Sequence, residues 1–278
     1  MPPLIQCEHL YFRYREEQDF ILQDLCLKIN KGEWVALLGT NGSGKSTFAR
    51  MLNALLQPEK GTVLIDGLPA NEEDHVWQIR QKVGMVFQNP DHQFVAATVR
   101  DDIAFGLENA GIPRPEMLNR IEEASVRTGI QDMLSAEPHR LSGGQKQRAA
   151  IAGVLALRPD IMIFDEATSM LDPNGRLEVM QTMAELNQSG ITIIMITHEL
   201  EEALKASRVV FMEQGRPSRD QSTHDFFQTP DFLLSRSFTL PYFLRMQVAL
   251  QAQGVHLDHL SLSEQEWVER LCRSPLKV

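Results

Sequence analysis

Cysteine is scarce in this 278-residue sequence: Cys7, Cys26 and Cys272 are the whole complement, and their spacing matches no metal-binding motif. Sparse, odd and scattered cysteines imply reduced thiols and a cytoplasmic setting. Basic charge is in short supply too. Lys and Arg total 27 against 37 Asp and Glu, a net charge of −10. That argues against a general nucleic-acid binder, which needs a basic surface, while leaving room for acidic docking of basic partner helices. No apolar run approaches the roughly 18–20 residues of a membrane span. Met1-Pro2-Pro3-Leu4 offers no basic region followed by an apolar stretch, so no signal peptide is expected. A role at a membrane would therefore need another chain to supply the membrane part. Internal repeats and low-complexity tracts are missing as well.

What is present is an ordinary globular composition, 43% hydrophobic and 23% charged, in a chain long enough for an α/β core with attached subdomains. Residues 4–11 and 20–29 have the patterns of antiparallel strands. The run Glu33–Gly39 is apolar enough for a strand buried on both faces. A helix is predicted from about Gly44 to Leu56, ended by Gln57-Pro58, then strands over Thr62–Ile65 and Val83–Phe87. From about 98 to 129 the pattern turns helical and acidic, broken by Gly-Ile-Pro at 111–113. Strands over Ile161–Phe164, Ile191–Thr197 and Val209–Met212 then alternate with a helix over Gly175–Asn187. Such alternation predicts a mostly parallel sheet with crossover helices. Near the end, Phe243, Met246 and Leu250 share one helical face, with Tyr242 and Ala249 beside them. Ser263 to Glu266 has capping-box spacing, followed by the pairs Trp267/Leu271 and Val268/Cys272.

Three motifs carry chemistry. The first is Gly39-Thr40-Asn41-Gly42-Ser43-Gly44-Lys45-Ser46, a phosphate-loop pattern placed between a buried strand and a helix. Glycines let successive N–H groups turn inward to phosphate oxygens, and the helix start adds positive potential. Lys45 would reach the β- and γ-phosphates, and the Ser46 hydroxyl would bind Mg²⁺. The second motif ends a buried strand with Asp165 and Glu166, at the sheet edge where ligands bind in parallel α/β folds. Asp165 would hold Mg²⁺ through its water shell and Glu166 would polarise the attacking water, unless either carboxylate merely caps the following turn. The third is Leu141-Ser142-Gly143-Gly144-Gln145. Ser142 and Gln145 fit a capping box. Capping alone does not call for adjacent glycines, which weaken a helix; a helix start that approaches an anion with bare N–H groups does.

Taken in order, the phosphate loop, Leu-Ser-Gly-Gly-Gln, the strand ending Asp165-Glu166, Ser169-Met170-Leu171-Asp172 and Ile196-Thr197-His198 resemble the ATP-binding cassette (ABC) ATPases over about residues 4–215. The resemblance implies a P-loop NTPase core with a mostly parallel sheet, an antiparallel β subdomain and a helical signature subdomain, here about 98–157. It makes ATP and Mg²⁺ the cofactors. Glu166, His198 and Gln88 would be catalytic, with Gln88 also near the metal beside Ser46 and Asp165. Tyr14 would stack on adenine, although Tyr11 and Phe12 lie close and any of the three could be core. Thr47 would join the nucleotide site. His198, read alone, could be a buried histidine after a strand. Asp172 before Pro173 also reads as an N-cap with proline in the first turn. In that family the signature of one cassette faces the phosphate loop of another, so Ser142, Gly143, Gly144 and Gln145 would serve ATP held by a partner chain.

The stretch Phe87–Val95, continuing to Asp102-Ile103-Ala104-Phe105-Gly106, is similar to the ATPase subunits of energy-coupling factor (ECF) transporters, more to the first of their two ATPases. Met170 and the tail from Leu240-Pro241 fit that group. This narrower resemblance implies a second ECF ATPase as partner in a heterodimer, with a small C-terminal helical extension (216–278) helping the two pair. A transmembrane T subunit would dock near Gln88–Val95, and an S subunit would carry a vitamin or other micronutrient. The chain would sit peripherally on the cytoplasmic face of the cell membrane, binding no nucleic acid. Asp91 would accept arginines of the T subunit's coupling helices or simply stabilise the turn after Pro90. A cobalt or nickel transporter, another ABC transporter, and a soluble ABC ATPase outside transport are the alternatives.

Overall fold

Alternating apolar residues open the chain as an antiparallel pair, β1 (Ile5–Phe12) and β2 (Leu22–Ile29), which bury Ile5, Cys7, Leu10 and Phe12 on one side. The computed structural model describes residues 2–273; Met1 and 274–278, the last of the predicted extension, lie outside them. The β1–β2 ladder is irregular, and His9 and Asp24 take left-handed backbone there, φ 50° and 54°. That twist brings His9 Nδ1 within 2.7 Å of Asp24 Oδ1 and lets the His9 amide donate to Cys26 Sγ.

β3 (Trp34–Gly39) is buried throughout. Trp34, Ala36 and Leu38 enter one core while Val35 and Leu37 enter the other. Helix α1 (Lys45–Leu52) follows the phosphate loop and stops short of the predicted Leu56. Ala54 turns left-handed, φ 52°, and the Leu55 and Leu56 amides both fold back to the Arg50 carbonyl. The Asn53 side chain donates to the Val83 carbonyl, anchoring that turn to the sheet. The helix therefore ends on a tertiary contact, before the proline can act.

β4 (Lys60–Ile65) and β5 (Leu68–Pro69) complete a four-stranded antiparallel sheet in the order β2-β1-β4-β5. Helix α2 (Glu73–Lys82) leads into β6 (Val83–Val86). The helical stretch is two helices, α3 (Val99–Asn109), capped by Thr98, and α4 (Arg114–Thr128), which ends at left-handed Gly129. Helix α5 (Gly143–Ala156) begins at the signature and is followed by β7 (Ile161–Asp165), α6 (Pro173–Gln188), β8 (Thr192–Ile196), the one-turn α7 (Leu200–Ala203) and β9 (Arg208–Glu213). β10 (Arg216–Ser222) adds an antiparallel edge to β9. The main sheet runs β10-β9-β3-β8-β7-β6, and every other pair in it is parallel.

Each face of that sheet covers a core. One lies toward α1, α2 and the antiparallel sheet, the other toward α3–α6 and the C-terminal helices. Those last helices are α8 (Thr223–Phe227), α9 (Pro230–Leu234), α10 (Tyr242–Ala252) and α11 (Glu264–Arg273). Phe211 of β9 packs its ring 5.0–6.1 Å from those of Phe226, Phe232 and Phe238, so this region shares the cassette's core. Gln228 and buried Gln247 each exchange two hydrogen bonds with the backbone at Leu260 and Ser261, pinning that loop down. On α10 the buried face is Phe243, Leu244 and Gln247; Tyr242 and Ala249, predicted beside it, are exposed. Ser263 Oγ accepts from the Glu266 amide, but the Glu266 carboxylate reaches the Leu262 amide one residue earlier than a capping box requires. Trp267 is buried, whereas Val268 and Cys272 face solvent.

Candidate functional site

Because β3, β7 and β8 run parallel, their carboxyl ends deliver three loops to one edge. The loop after β3 turns on glycine of necessity. At Gly39 (φ 146°) a Cβ would meet the Met212 carbonyl oxygen at 2.3 Å, and at Gly44 (φ 96°) it would meet the Leu22 side chain at 2.7 Å. Lys45 Nζ donates to the Gly39 and Thr40 carbonyls at 2.9 and 3.0 Å and reaches Ser43 Oγ at 3.4 Å. Burial pulls its pKa down, against the opposing pull of the Glu166 and Asp165 charges. The Ser46 hydroxyl donates to Asp165 Oδ1 at 2.9 Å. Thr47 Oγ1 lies 3.3 Å from the Tyr14 hydroxyl, whose ring stands edge-on to Phe12. Phe12 is buried and Tyr11 packs on Phe20, which leaves Tyr14 as the exposed aromatic beside the loop.

The acid pair sits across from this loop. Desolvation raises the Asp165 pKa, the Ser46 hydrogen bond opposes it, and the neighbouring Glu166 charge adds to the rise. Glu166 holds a left-handed backbone, φ 50°, fixed by its amide donating to the Ile196 carbonyl of β8. For a non-glycine residue that conformation costs on the order of 1–3 kcal/mol, a cost met typically at functional sites. Gln88 Nε2 donates to Glu166 Oε2 at 3.3 Å and to Ser169 Oγ at 3.2 Å. His198 Nδ1 stands 3.9 Å from Glu166 Oε1. The fold thus gathers Gln88, Glu166 and His198 beside the phosphate loop.

The signature lies elsewhere. The cleft over the phosphate loop is lined by Ile21, residues 41–47 and Glu166, and by none of 142–145. Both halves of the capping box form: Gln145 N–H donates to Ser142 Oγ at 3.3 Å, and Ser142 N–H to Gln145 Oε1 at 2.9 Å. The two glycines have different reasons to be there. Gly144 is buried, and a Cβ on it would come 2.9 Å from the Cα of Gly175 in α6; Gly143 is exposed, and a Cβ on it would make only ordinary contact with the Leu171 side chain at 3.4 Å. Close helix packing, beyond anion approach, accounts for the first. Asp172 caps α6 by accepting from Gly175 N–H at 3.0 Å. Asn89, not Asp91, stabilises the turn after Pro90, by accepting from the Asp91 amide. The Asp91 carboxylate instead meets Lys146 Nζ at 2.7 Å.

Residues 22–169 match the family model described as ABC transporter. The chain belongs to the ABC transporter family. Among its relatives is the energy-coupling factor transporter ATP-binding protein EcfA1 of Halalkalibacterium halodurans, 49% identical, with 95% of each chain covered. The protein of the same name from Bacillus subtilis is 48% identical, again covering 96% of each. In structure the chain is similar to cbiO1 of Clostridium perfringens, described as part of the ABC transporter complex cbiONQ. That likeness has a TM-score of 0.78 and 34% identity, covering 89% of this chain and 99% of that one. An ATP-binding cassette solved as a dimer with ADP and Pi aligns with a TM-score of 0.70 and 29% identity, over 79% and 98% of the two chains. As an ABC ATPase of the energy-coupling factor type, the chain binds and hydrolyses ATP, and no helix among its described residues is long and apolar enough to cross a membrane.

Sequence reasoning passed over one group of residues. Glu202, Thr168, Thr197 and Arg176 meet behind the acid pair. Glu202 lies in the run Glu199-Leu200-Glu201-Glu202, which reads as a solvated face, and only its burial sets it apart.

Proposed function

We propose that this chain is the motor subunit of an ECF importer, hydrolysing ATP between two ATPase subunits to drive uptake of a vitamin or other micronutrient. The observation that carries the proposal is the division of the nucleotide groups. The phosphate loop, Asp165, Glu166, Gln88 and His198 share one edge, while the exposed start of α5 contributes nothing to the cleft over the loop. A second ATPase, most simply a different one, completes each site, with Ser142, Gly143 and Gln145 facing ATP held by the partner and Gly144 packing the helix start in place. The Tyr14 ring supports adenine; Lys45 and the loop amides, from Thr40 to Thr47, hold the phosphates. The oxygen donors of Ser46 and Asp165, 2.9 Å apart with Gln88 nearby, suit a hard divalent cation. These residues would hold Mg²⁺, which would supply charge neutralisation for phosphoryl transfer. Glu166, positioned by Gln88 and faced by His198, orients the attacking water.

The segment Gln88–Val95, with exposed Asp91 and Val95, together with exposed Phe105 of α3 presents acid and apolar surface to a membrane T subunit, which works with a substrate-carrying S subunit. Pairing is aided by the C-terminal region 216–278, and the chain sits on the cytoplasmic face of the membrane. Glu166→Gln tests the core of this reading. ATP binding should persist while turnover falls by about a hundredfold or more, and closed pairs should accumulate in size-exclusion runs with ATP. Normal steady-state hydrolysis by that variant overturns the assignment. Asp91→Arg tests the docking surface, since it should abolish co-purification with a small multispanning partner.

A further inference from the structure

Glu202 is 4% exposed, on the single turn that follows His198. Burying a carboxylate is expensive unless donors surround it, and here they converge from three directions. Thr168, two residues after Glu166, donates its hydroxyl to Oε1 at 2.6 Å. Thr197, directly before His198, donates to Oε2 at 2.6 Å, and the same hydroxyl accepts from the Glu199 amide at 3.0 Å. Arg176 of α6 lies 3.6 Å from Oε1, its Nε buried and without a hydrogen-bond partner. Two of the three stand close in sequence to groups proposed to face the nucleotide, Thr168 to Glu166 and Thr197 to His198, while Arg176 adjoins Gly175, against which the signature glycine Gly144 packs.

From this geometry we infer that Glu202 is a positioning residue for hydrolysis. It clamps the exits of β7 and β8 together so that Glu166 and His198 face the same water, and ties both to the helix beneath the signature. A buried ionic group serves stability poorly compared with apolar residues of similar volume. A carboxylate with two oxygens, each taking a hydroxyl from a different strand's exit, instead sets a distance between those exits. Because each cassette's signature serves its partner's ATP, the same clamp joins this chain's own water-orienting groups to the half-site it lends. The inference rests on the roles proposed above for Glu166 and His198.

The isosteric variant Glu202→Gln tests it in the full chain, assembled with the subunits that co-purify with it. One threonine loses its acceptor and Arg176 loses its counter-charge while shape is kept. Turnover should fall at least about tenfold, the scale expected when catalytic groups shift by a fraction of an ångström. The dissociation constant of a fluorescent ATP analogue should change by less than about twofold, since the phosphate loop is untouched. Thr197→Val should lower turnover in the same way, and combining it with Glu202→Gln should add little to the larger single loss. Unchanged turnover in Glu202→Gln, a binding loss equal to the turnover loss, or fully multiplicative effects in the double variant would each overturn the inference. Should Glu202→Gln not fold, Thr168→Val and Thr197→Val together make the same test by the same two readouts. Glu166→Gln, run in parallel, separates the two claims. If it hydrolyses ATP normally the site reading itself falls, whereas if it is inactive and Glu202→Gln is normal only the clamp falls.

Discussion

Two glycine-rich helix starts in this chain face opposite problems. Helix α1 begins at Gly44 with no side-chain cap, and the loop before it folds around the Lys45 ammonium. Helix α5 begins at Ser142 with a complete capping box, and Ser142 and Gly143 are exposed. An uncapped start keeps its orphan N–H groups for a ligand, and the lysine within reach supplies the charge. A start with a complete capping box has already satisfied two of those donors. Its own side chains hold its first turn, which suits the role proposed for it, meeting phosphate held on another chain. One glycine-rich motif type thus takes two forms, an uncapped start folded around a lysine and a start whose own side chains cap it.

Lys45→Ala should do the greatest damage to the first start. Losing a charged donor to phosphate is worth roughly 1.5–3 kcal/mol, so titration with a fluorescent ATP analogue should show affinity falling by about ten- to a hundredfold. Gly144→Ala breaks the second start without touching the first. Its Cβ would press on the Cα of Gly175, and overpacking of that kind costs about 1–3 kcal/mol. Turnover should drop by about tenfold while the ATP analogue binds as before; parallel loss of binding would show that the two starts are not separable. A smaller effect concerns Asp165, whose pKa burial raises. The folded chain keeps this proton where the unfolded chain has released it, so its contribution to stability is full below the ordinary carboxylate pKa. That contribution is lost as pH rises through the raised value. The melting temperature of nucleotide-free Asp165→Asn should therefore gain on the wild type across that window and level off toward neutral pH. Lys146→Ala should matter least to stability, because an ion pair with an Asp91 that is 58% exposed contributes about 0–1 kcal/mol. Chemical denaturation midpoints should barely move.

Much of the site was legible without coordinates, because its parts are local. A phosphate loop needs glycines at fixed offsets, a strand buried on both faces reads as an apolar run, and Ser142 and Gln145 cap a helix through bonds three residues apart. The parallel alternation after residue 160 was legible for the same reason. Less local features were not. Helix α2 buries only Ile79 and leaves little periodicity to read. The end of α1 depends on Asn53 reaching Val83, thirty residues away. On α10 the buried polar position is Gln247, whose partners lie fourteen residues on at Ser261. Glu202 looked like any acid in a charged turn.

By itself, then, the sequence determined that this chain carries a phosphate-loop pattern at Gly39–Ser46, places acids at Asp165 and Glu166 on a strand end, and starts a capped helix at Ser142. These follow from backbone conformations and hydrogen bonds spanning only a few residues. The tertiary structure alone decided that Gln88, Glu166 and His198 meet, that Gly144 must be bare for Gly175 to approach, and that a buried carboxylate bridges two strand exits. Those outcomes depend on which strands lie side by side and how closely two helices pack, and such distances emerge only when both faces of the sheet are covered and the cores close.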